Sequence, residues 1–182
     1  MNKALLIIDY SYDFVATDGK LTAGEAAQHI EKSLYERIKQ SYNDGEFIFF
    51  MMDAHVEEDY YHPETKLFPE HNILGSKGIE LYQSIRDLYN EIKDDELVFF
   101  IEKTRYSAFQ GTPLQLLLKE RNIESIQLTG LVTDICILHT AIDAYNLGYD
   151  ITIYKDCVAS FNQVGHEFAL SHFEKTLGAT VE

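Results

Sequence analysis

The feature that most constrains the fold is a series of five short apolar runs rich in Ile, Val and Phe. They cover residues 4–8, 47–52, 97–101, 126–128 and 151–154. Their hydrophobicity is continuous rather than alternating, which is typical of strands buried on both faces of a parallel sheet. A short final strand is predicted at residues 179–181.

Between these runs, apolar residues recur at intervals of three and four, the period of an amphipathic helix. Stripes of this kind cover residues 27–38, 82–92, 114–118, 135–145 and 168–177. Thr112 and Pro113 favour a helix start, with Thr as the N-cap and Pro in the first turn. The alternation predicts an α/β fold, a three-layer α/β/α sandwich with a mainly parallel central sheet. The length of 182 residues fits a single domain over residues 1–182.

The charge balance bears on partners. The chain has 30 acidic and 15 basic residues, a formal net charge of −15. Such a field repels phosphate backbones and anionic lipids, so we expect neither nucleic acid nor a membrane as partner. A small neutral or cationic substrate fits better, although the charge can also serve solubility alone.

The location is predicted from the cysteines and from the lack of targeting signals. The apolar run at residues 4–8 is too short for a signal peptide and stops at Asp9. No stretch approaches the roughly 20 apolar residues of a membrane span. With only Cys136 and Cys157, we expect a cytoplasmic protein with free thiols.

Polar residues follow the apolar runs, where open α/β sheets bind their ligands. The set includes Asp9, Lys103 and, in the first turn of the helix after Gly130, Cys136. A helix start favours a thiolate, lowers the pKa of the thiol and can hold an oxyanion. Singly, each residue has a structural alternative: a turn residue, a surface lysine, a small buried thiol. Together they supply base, electrostatic support and nucleophile for covalent acyl transfer.

A possible metal site follows the second run. Asp53 and His55 lie on the same side of an extended segment, and the aperiodic loop at 54–78 adds His62, Glu64 and His71. Mixed nitrogen and oxygen ligands suit Zn²⁺, Fe²⁺ or Mn²⁺. The alternative is a charged, solvated loop, although long irregular loops are usually functional.

Five stretches of the chain resemble the isochorismatase-like cysteine hydrolases. They are LLIIDYSYDF (5–14), MDAH (52–55), HPETKLFPEH (62–71), EKTRYSAF (102–109) and TGLVTDICILHTAIDAYNLGYD (129–150). They occur in the family's order and span nearly the whole chain, and HPETKLFPEH is close to the nicotinamidase group within it. The resemblance implies a Rossmann-like α/β fold and hydrolysis of nicotinamide to nicotinate and ammonia through a cysteine thioester, as a step of NAD salvage.

The resemblance also implies residue roles. Asp9, Lys103 and Cys136 match the catalytic triad. The metal ligands are matched by Asp53, His55, His71 and, as the fourth, Glu64, with His62 as the competing candidate. The implied cofactor is one divalent ion per chain, Zn²⁺ first, with Fe²⁺ or Mn²⁺ as alternatives.

The remaining implied positions concern the substrate. Phe14, Phe68 and Tyr106 match rings that sandwich the pyridine, and pyrazinamide is expected as a second substrate. A cis peptide at Leu131–Val132 would aim the N–H of Val132, together with that of Cys136, at the oxyanion. The family also implies a homo-oligomer.

Three alternatives stay open at this point. The chain could be a related cysteine amidase acting on another small amide or carbamoyl compound. It could be a metal-centred hydrolase in which Cys136 is structural. It could also be a non-catalytic ligand-binding relative, since fold does not imply function.

Overall fold

The computed structural model describes residues 2–182, built around one six-stranded sheet. The strands are β1 (Asn2–Ile8), β2 (Phe47–Asp53), β3 (Val98–Lys103), β4 (Ile123–Leu131), β5 (Asp150–Ala159) and β6 (Thr180–Val181). Their order is β3-β2-β1-β4-β5-β6, and every pairing between neighbours is parallel. The predicted parallel α/β sheet is therefore confirmed.

Seven α-helices accompany these strands in the described residues. They are α1 (Tyr12–Val15), α2 (Gly24–His29), α3 (Glu31–Asn43), α4 (Gln83–Ile92), α5 (Leu114–Glu120), α6 (Leu138–Asn146) and α7 (Gln163–Lys175). Helices α1–α4 pack on one face and α5–α7 on the other, giving the sheet two apolar cores. Successive residues of β1 pack into opposite cores. Leu5 and Ile7 belong to the core under α1–α4, whereas Leu6 and Ile8 belong to the core under α5–α7. Both faces of β1 are buried, which explains its unbroken hydrophobicity.

Some element bounds differ from the prediction. The stripe at 27–38 is split between α2 and α3, and Thr112 lies two residues before α5, where its Oγ1 accepts the N–H of Leu114 at 3.3 Å. Strand β5 continues five residues beyond the predicted end at Tyr154, because its second half pairs with the end of β4 after a register shift. None of the helices in residues 2–182 combines the length and apolarity that a membrane crossing requires.

Candidate active site

Asp9 lies immediately after β1 and is almost completely buried. Its backbone has φ of +56°, a left-handed conformation that is uncommon outside glycine, and its N–H donates to Met51 O at 2.9 Å. Its Oδ1 accepts the N–H of Asp53 at 2.7 Å. The carboxylate is therefore fixed to the end of β2 as well as to its own strand.

Lys103 is the last residue of β3, and its side chain is fully buried. Its Nζ lies 2.8 Å from Asp9 Oδ2 and 3.6 Å from Cys136 Sγ. It also donates to Arg105 O at 3.1 Å and lies 3.8 Å from Asp53 Oδ1. A buried ammonium needs such partners, because an unpaired charge is costly inside a protein.

Cys136 follows β4 in a single π turn, Thr133–Ile137, and is 6% exposed. The predicted first turn of an α-helix is therefore corrected, since α6 begins only at Leu138. The preceding Leu131–Val132 peptide is cis, as the resemblance implied. Gly130 has φ of +105°, and a Cβ there would lie 2.0 Å from Ile8 O, so only glycine fits this contact between β4 and β1.

The electrostatics differ from the expectation of a lowered cysteine pKa. Burial raises the pKa of the Cys136 thiol well above its usual range. The charge of Lys103 lowers this pKa, whereas the nearby carboxylates of Asp9 and Asp53 raise it further. Burial likewise raises the pKa of Asp9 to about 6, although Lys103 opposes it. Burial alone would lower the pKa of Lys103, but the charges of Asp9, Cys136 and Asp53 raise it. The lysine is therefore a permanent cation between a thiol and a carboxyl group.

The π turn is attached to the segment that follows β5. Asp134 accepts hydrogen bonds from Ser160 Oγ at 2.6 Å and from Asn162 Nδ2 at 3.1 Å. Thr133 Oγ1 and His166 Nδ1 are 2.8 Å apart. These contacts tie the residues that follow β4 to those that follow β5.

A cluster of possible metal ligands lies beside this triad. It comprises Asp53, His55, Glu64 and His71, whose candidate ligand atoms all lie within 4.8 Å of one another. Asp53 Oδ2 is 2.8 Å from His55 Nε2 and 3.2 Å from His71 Nε2, and His71 Nε2 is 3.8 Å from Glu64 Oε2. Although burial would raise the pKa of Asp53, Lys103 and both histidines lower it well below its usual range.

These residues fit a divalent cation. Two imidazoles and two carboxylates form a donor set typical of zinc and related ions. The buried Nε2 of His71 makes no hydrogen bond within residues 2–182, although it lies 3.2 Å from Asp53 Oδ2, while its Nδ1 lies 2.8 Å from Pro69 O. An imidazole that donates through Nδ1 to a carbonyl presents the lone pair of Nε2 to a metal.

His62 lies outside this cluster. Its Nε2 is 2.8 Å from Thr104 O and 2.9 Å from Arg105 Nη1, and its Nδ1 accepts the N–H of Glu64 at 3.3 Å. His62 thus begins the short 3₁₀ turn that carries Glu64. Of the two candidates for the fourth position, the geometry places Glu64 with the other three residues.

A cavity joins the cysteine to the metal cluster, because Cys136 lines it together with Asp53, Glu64 and His71. The predicted ring positions Phe14, Phe68 and Tyr106 all line it, as do Val132 and Cys136. The sequence reasoning missed three further lining residues, Leu21, Ile135 and Phe161.

Phe161 was missed because β5 is longer than predicted. The strand ends at Ala159, so Ser160 and Phe161 are the residues that follow it. Phe161 borders the cavity and remains 45% exposed. A signal was present in the short apolar stretch Val158–Ala159 beyond the polar pair at 155–156, which continues the strand.

Solved structures with a closely similar fold include two bacterial enzymes. The pyrazinamidase/nicotinamidase from Streptococcus mutans UA159 is 52% identical, with a TM-score of 0.98 and complete coverage of both chains. The nicotinamidase/pyrazinamidase PncA from Bacillus subtilis is 51% identical, with a TM-score of 0.98, over 100% of this chain and 99% of that one. A more distant match is the pyrazinamidase of Pyrococcus horikoshii in complex with zinc, 25% identical, TM-score 0.86, over 100% and 99% of the two chains.

A family model agrees with these structural matches. The model described as the isochorismatase domain matches residues 3–182, which is nearly the entire chain. The six-stranded parallel sheet with helices on both faces agrees with that assignment. This chain therefore belongs to the isochorismatase family.

Proposed function

We propose that this protein is a nicotinamidase, which hydrolyses nicotinamide to nicotinate and ammonia. The observation that carries the proposal is the contact of Lys103 with both Asp9 and Cys136, where Cys136 lines a cavity that also reaches three of the four clustered metal-type ligands. Enzymes named nicotinamidase/pyrazinamidase share about half of its sequence over their full length. Pyrazinamide is the second substrate that we expect.

In this proposal, Cys136 is the nucleophile and Asp9 is the proton carrier. Asp9 accepts the thiol proton as sulfur attacks the amide carbon. It returns that proton to the nitrogen as the carbon–nitrogen bond breaks, so ammonia leaves and a thioester remains. Asp9 then removes a proton from water, which attacks the thioester, and nicotinate is released as the proton returns to sulfur. The raised pKa of Asp9, about 6, suits a group that both accepts and returns a proton near neutrality.

Lys103 and the backbone have supporting roles. The lysine ammonium lies next to both groups that become anionic, so it stabilises whichever of them carries the charge. We assign the N–H groups of Val132 and Cys136 to the oxyanion, because both residues line the cavity at the turn that bears the nucleophile.

The metal would be held by Asp53, His55, Glu64 and His71. A divalent cation there supplies a Lewis-acidic position for the pyridine nitrogen and so orients the amide toward the cysteine. We propose Zn²⁺, supported by the donor set and by the zinc complex of the Pyrococcus pyrazinamidase, with Fe²⁺ or Mn²⁺ as alternatives. The rings of Phe14, Phe68 and Tyr106 then pack against the pyridine.

The cellular part of the proposal follows from the reaction. A nicotinamidase feeds NAD salvage, and we place it in the cytoplasm as a homo-oligomer without nucleic-acid or membrane partners. The net charge of −15 supports the exclusion of polyanions. Both Cys136 and Cys157 are free, in agreement with a reducing compartment.

Ammonia release from nicotinamide by the purified, zinc-loaded protein tests the reaction. We expect the parent to release ammonia and Cys136→Ala to release none above background. Cys157→Ala is the matched control, because that thiol is buried away from the cavity, and it should retain activity. Substantial activity in Cys136→Ala would contradict the cysteine mechanism and favour metal-centred hydrolysis.

The breadth of substrates separates nicotinamidase from a related amidase. If the loaded parent releases no ammonia from nicotinamide but does so from another small amide or carbamoyl compound, the family assignment stands and the substrate is wrong. Turnover of pyrazinamide alone does not separate these two functions.

Removal of metal tests the orienting role of the cluster. We expect chelation to raise the KM for nicotinamide and to lower kcat, and zinc to restore both. Benzamide has the same amide but no ring nitrogen, so the loaded enzyme should turn it over poorly. Equal turnover of benzamide and nicotinamide would exclude coordination of the ring nitrogen.

A further inference from the structure

A buried carboxylate outside the proposed mechanism lies behind the metal cluster. Asp13, in α1, is 6% exposed. Its Oδ2 accepts the N–H of Asn72 at 2.8 Å, and its Oδ1 accepts the N–H of Lys20 at 3.1 Å. A Cβ at Gly78 would lie 2.1 Å from Asp13 Oδ2, so the chain packs tightly around this carboxylate. A buried carboxylate with two backbone donors is well satisfied and fixed in place.

Asn72, which Asp13 holds, directly follows the possible ligand His71 and is fully buried. Its backbone has φ of +47°, which asparagine tolerates better than most residues. Its Oδ1 accepts the hydroxyl of Ser11 at 2.8 Å. The side-chain oxygen of Asn72 thus faces another buried polar group.

The same residue contacts the segment that carries the ligands of β2. Asn72 O accepts the N–H of His55 at 3.1 Å, and Asn72 Nδ2 donates to Asp53 Oδ2 at 3.5 Å. That oxygen is the one that faces both His55 Nε2 and His71 Nε2. Asn72 therefore connects the end of β2 to the loop that supplies His71.

This connection matters because the loop has little regular structure of its own. Between β2 and α4 the chain forms only two short 3₁₀ turns and two isolated bridges, one between His55 and Ile73 and one between Leu81 and Ser11. A loop ligand without such ties would pay ordering entropy when the ion binds. Groups behind the ligands commonly change metal affinity by about 10–100-fold for this reason.

We propose that Asp13 and Asn72 are positioning residues that hold His71 and Asp53 in a metal-binding arrangement before the ion arrives. The inference rests on the proposed metal cluster and not on the substrate. It predicts that metal affinity depends on a carboxylate that donates no ligand atom itself.

The test is the affinity for zinc of the full chain, measured by competition with a chromophoric chelator. In Asp13→Asn, the amide keeps the volume but places an NH₂ group against backbone N–H donors. We expect the Kd for Zn²⁺ to rise about 10–100-fold. Amidase activity should then return toward the parent kcat at saturating zinc, which a purely structural defect or a catalytic role would not allow. Asp18→Asn is the matched control, because Asp18 is exposed and accepts only the hydroxyl of Tyr12.

A milder variant keeps the test decisive if Asp13→Asn fails to fold. Ser11→Ala removes only the hydroxyl donor to Asn72, and we expect a smaller rise in Kd in the same direction. The proposal is overturned if every folded variant binds zinc as tightly as the parent. If the parent itself binds no zinc, the metal assignment and this inference fall together. Neither result depends on whether nicotinamide is the substrate.

Discussion

The nucleophile side of the cavity and the metal side are held in place by different means. Asp9, Lys103 and Cys136 lie at or just beyond the ends of β1, β3 and β4, within one parallel sheet. On the metal side, Asp53 and His55 lie at the end of β2, but Glu64 and His71 come from a loop with little regular structure. The sheet fixes the first set, whereas buried polar side chains tie the second set to the sheet. A search for polar residues that follow predicted strands, which we call the strand-end rule, can thus find the residues on the nucleophile side. On the metal side it finds only Asp53 and His55.

Lys103 belongs to both sides. It lies 2.8 Å from Asp9 and 3.8 Å from Asp53, so one buried cation serves both sets of anions. The largest effect that we predict therefore comes from removing its charge.

Lys103→Met should damage both sides at once. It leaves buried carboxylates without their cation, so we expect a loss of stability of about 3–5 kcal/mol. We also expect kcat/KM to fall by about 100–1,000-fold, because the anionic groups lose electrostatic support. Chemical denaturation and ammonia release measure the two effects. Lys155→Met, at an exposed lysine, should change neither, and near-parental stability of Lys103→Met would contradict the shared role.

Gly130→Ala should disturb the nucleophile side of the cavity without acting directly on the metal side. The new Cβ meets Ile8 O and the residue keeps an unfavourable positive φ, so β4 must move away from β1. We expect a loss of about 2–5 kcal/mol in stability, together with a large fall in kcat.

Gly148→Ala separates the two causes. Gly148 also has a positive φ, +83°, but a Cβ there has nothing within 4 Å in the described chain. Its cost should be the conformational part only, about 1 kcal/mol, with kcat unchanged. Equal losses in the two variants would show that close approach of the strands is not what makes residue 130 a glycine.

Phe161→Ala should give the smallest effect on catalysis. It tests a cavity residue that belongs to neither the nucleophile side nor the metal side. The ring lines the cavity but carries no polar group that could take part in the reaction. We therefore expect kcat to stay unchanged. The KM for nicotinamide should rise about 2–10-fold through lost ring contact. Ring-substituted nicotinamides should lose less affinity, because the cavity becomes wider. Val164→Ala, at an exposed residue outside the cavity lining, is the control, and a fall in kcat without a change in KM would assign Phe161 another role.

Much of the fold could be predicted from the sequence because β1 and β2 are buried on both faces, and continuous apolar runs follow directly. The end of β5 was missed, because exposed Lys155 and Asp156 interrupt its hydrophobicity while backbone pairing continues. The same error hid Phe161 from the strand-end rule. Backbone hydrogen bonds are made by every residue type, so side-chain patterns underestimate strands of this kind.

Part of the site could likewise be predicted from the sequence, and part could not. The position of Cys136 after β4 could be predicted, but its raised pKa could not, because helix-start arguments ignore burial beside two carboxylates. The choice between His62 and Glu64 depends on a 3₁₀ turn. This turn directs the His62 side chain toward Thr104 O and places Glu64 in the metal cluster. No periodicity in the loop encodes that turn.

The approach of Gly130 to Ile8 also limits how the specificity of this chain can be redesigned. Any residue other than glycine at position 130 would place a Cβ 2.0 Å from Ile8 O, so this position offers little room for variation. The cavity wall, by contrast, includes Leu21, Ile135 and Phe161, none of which belongs to a strand. Selection for new amides should therefore accumulate changes at these three positions and leave the glycine untouched.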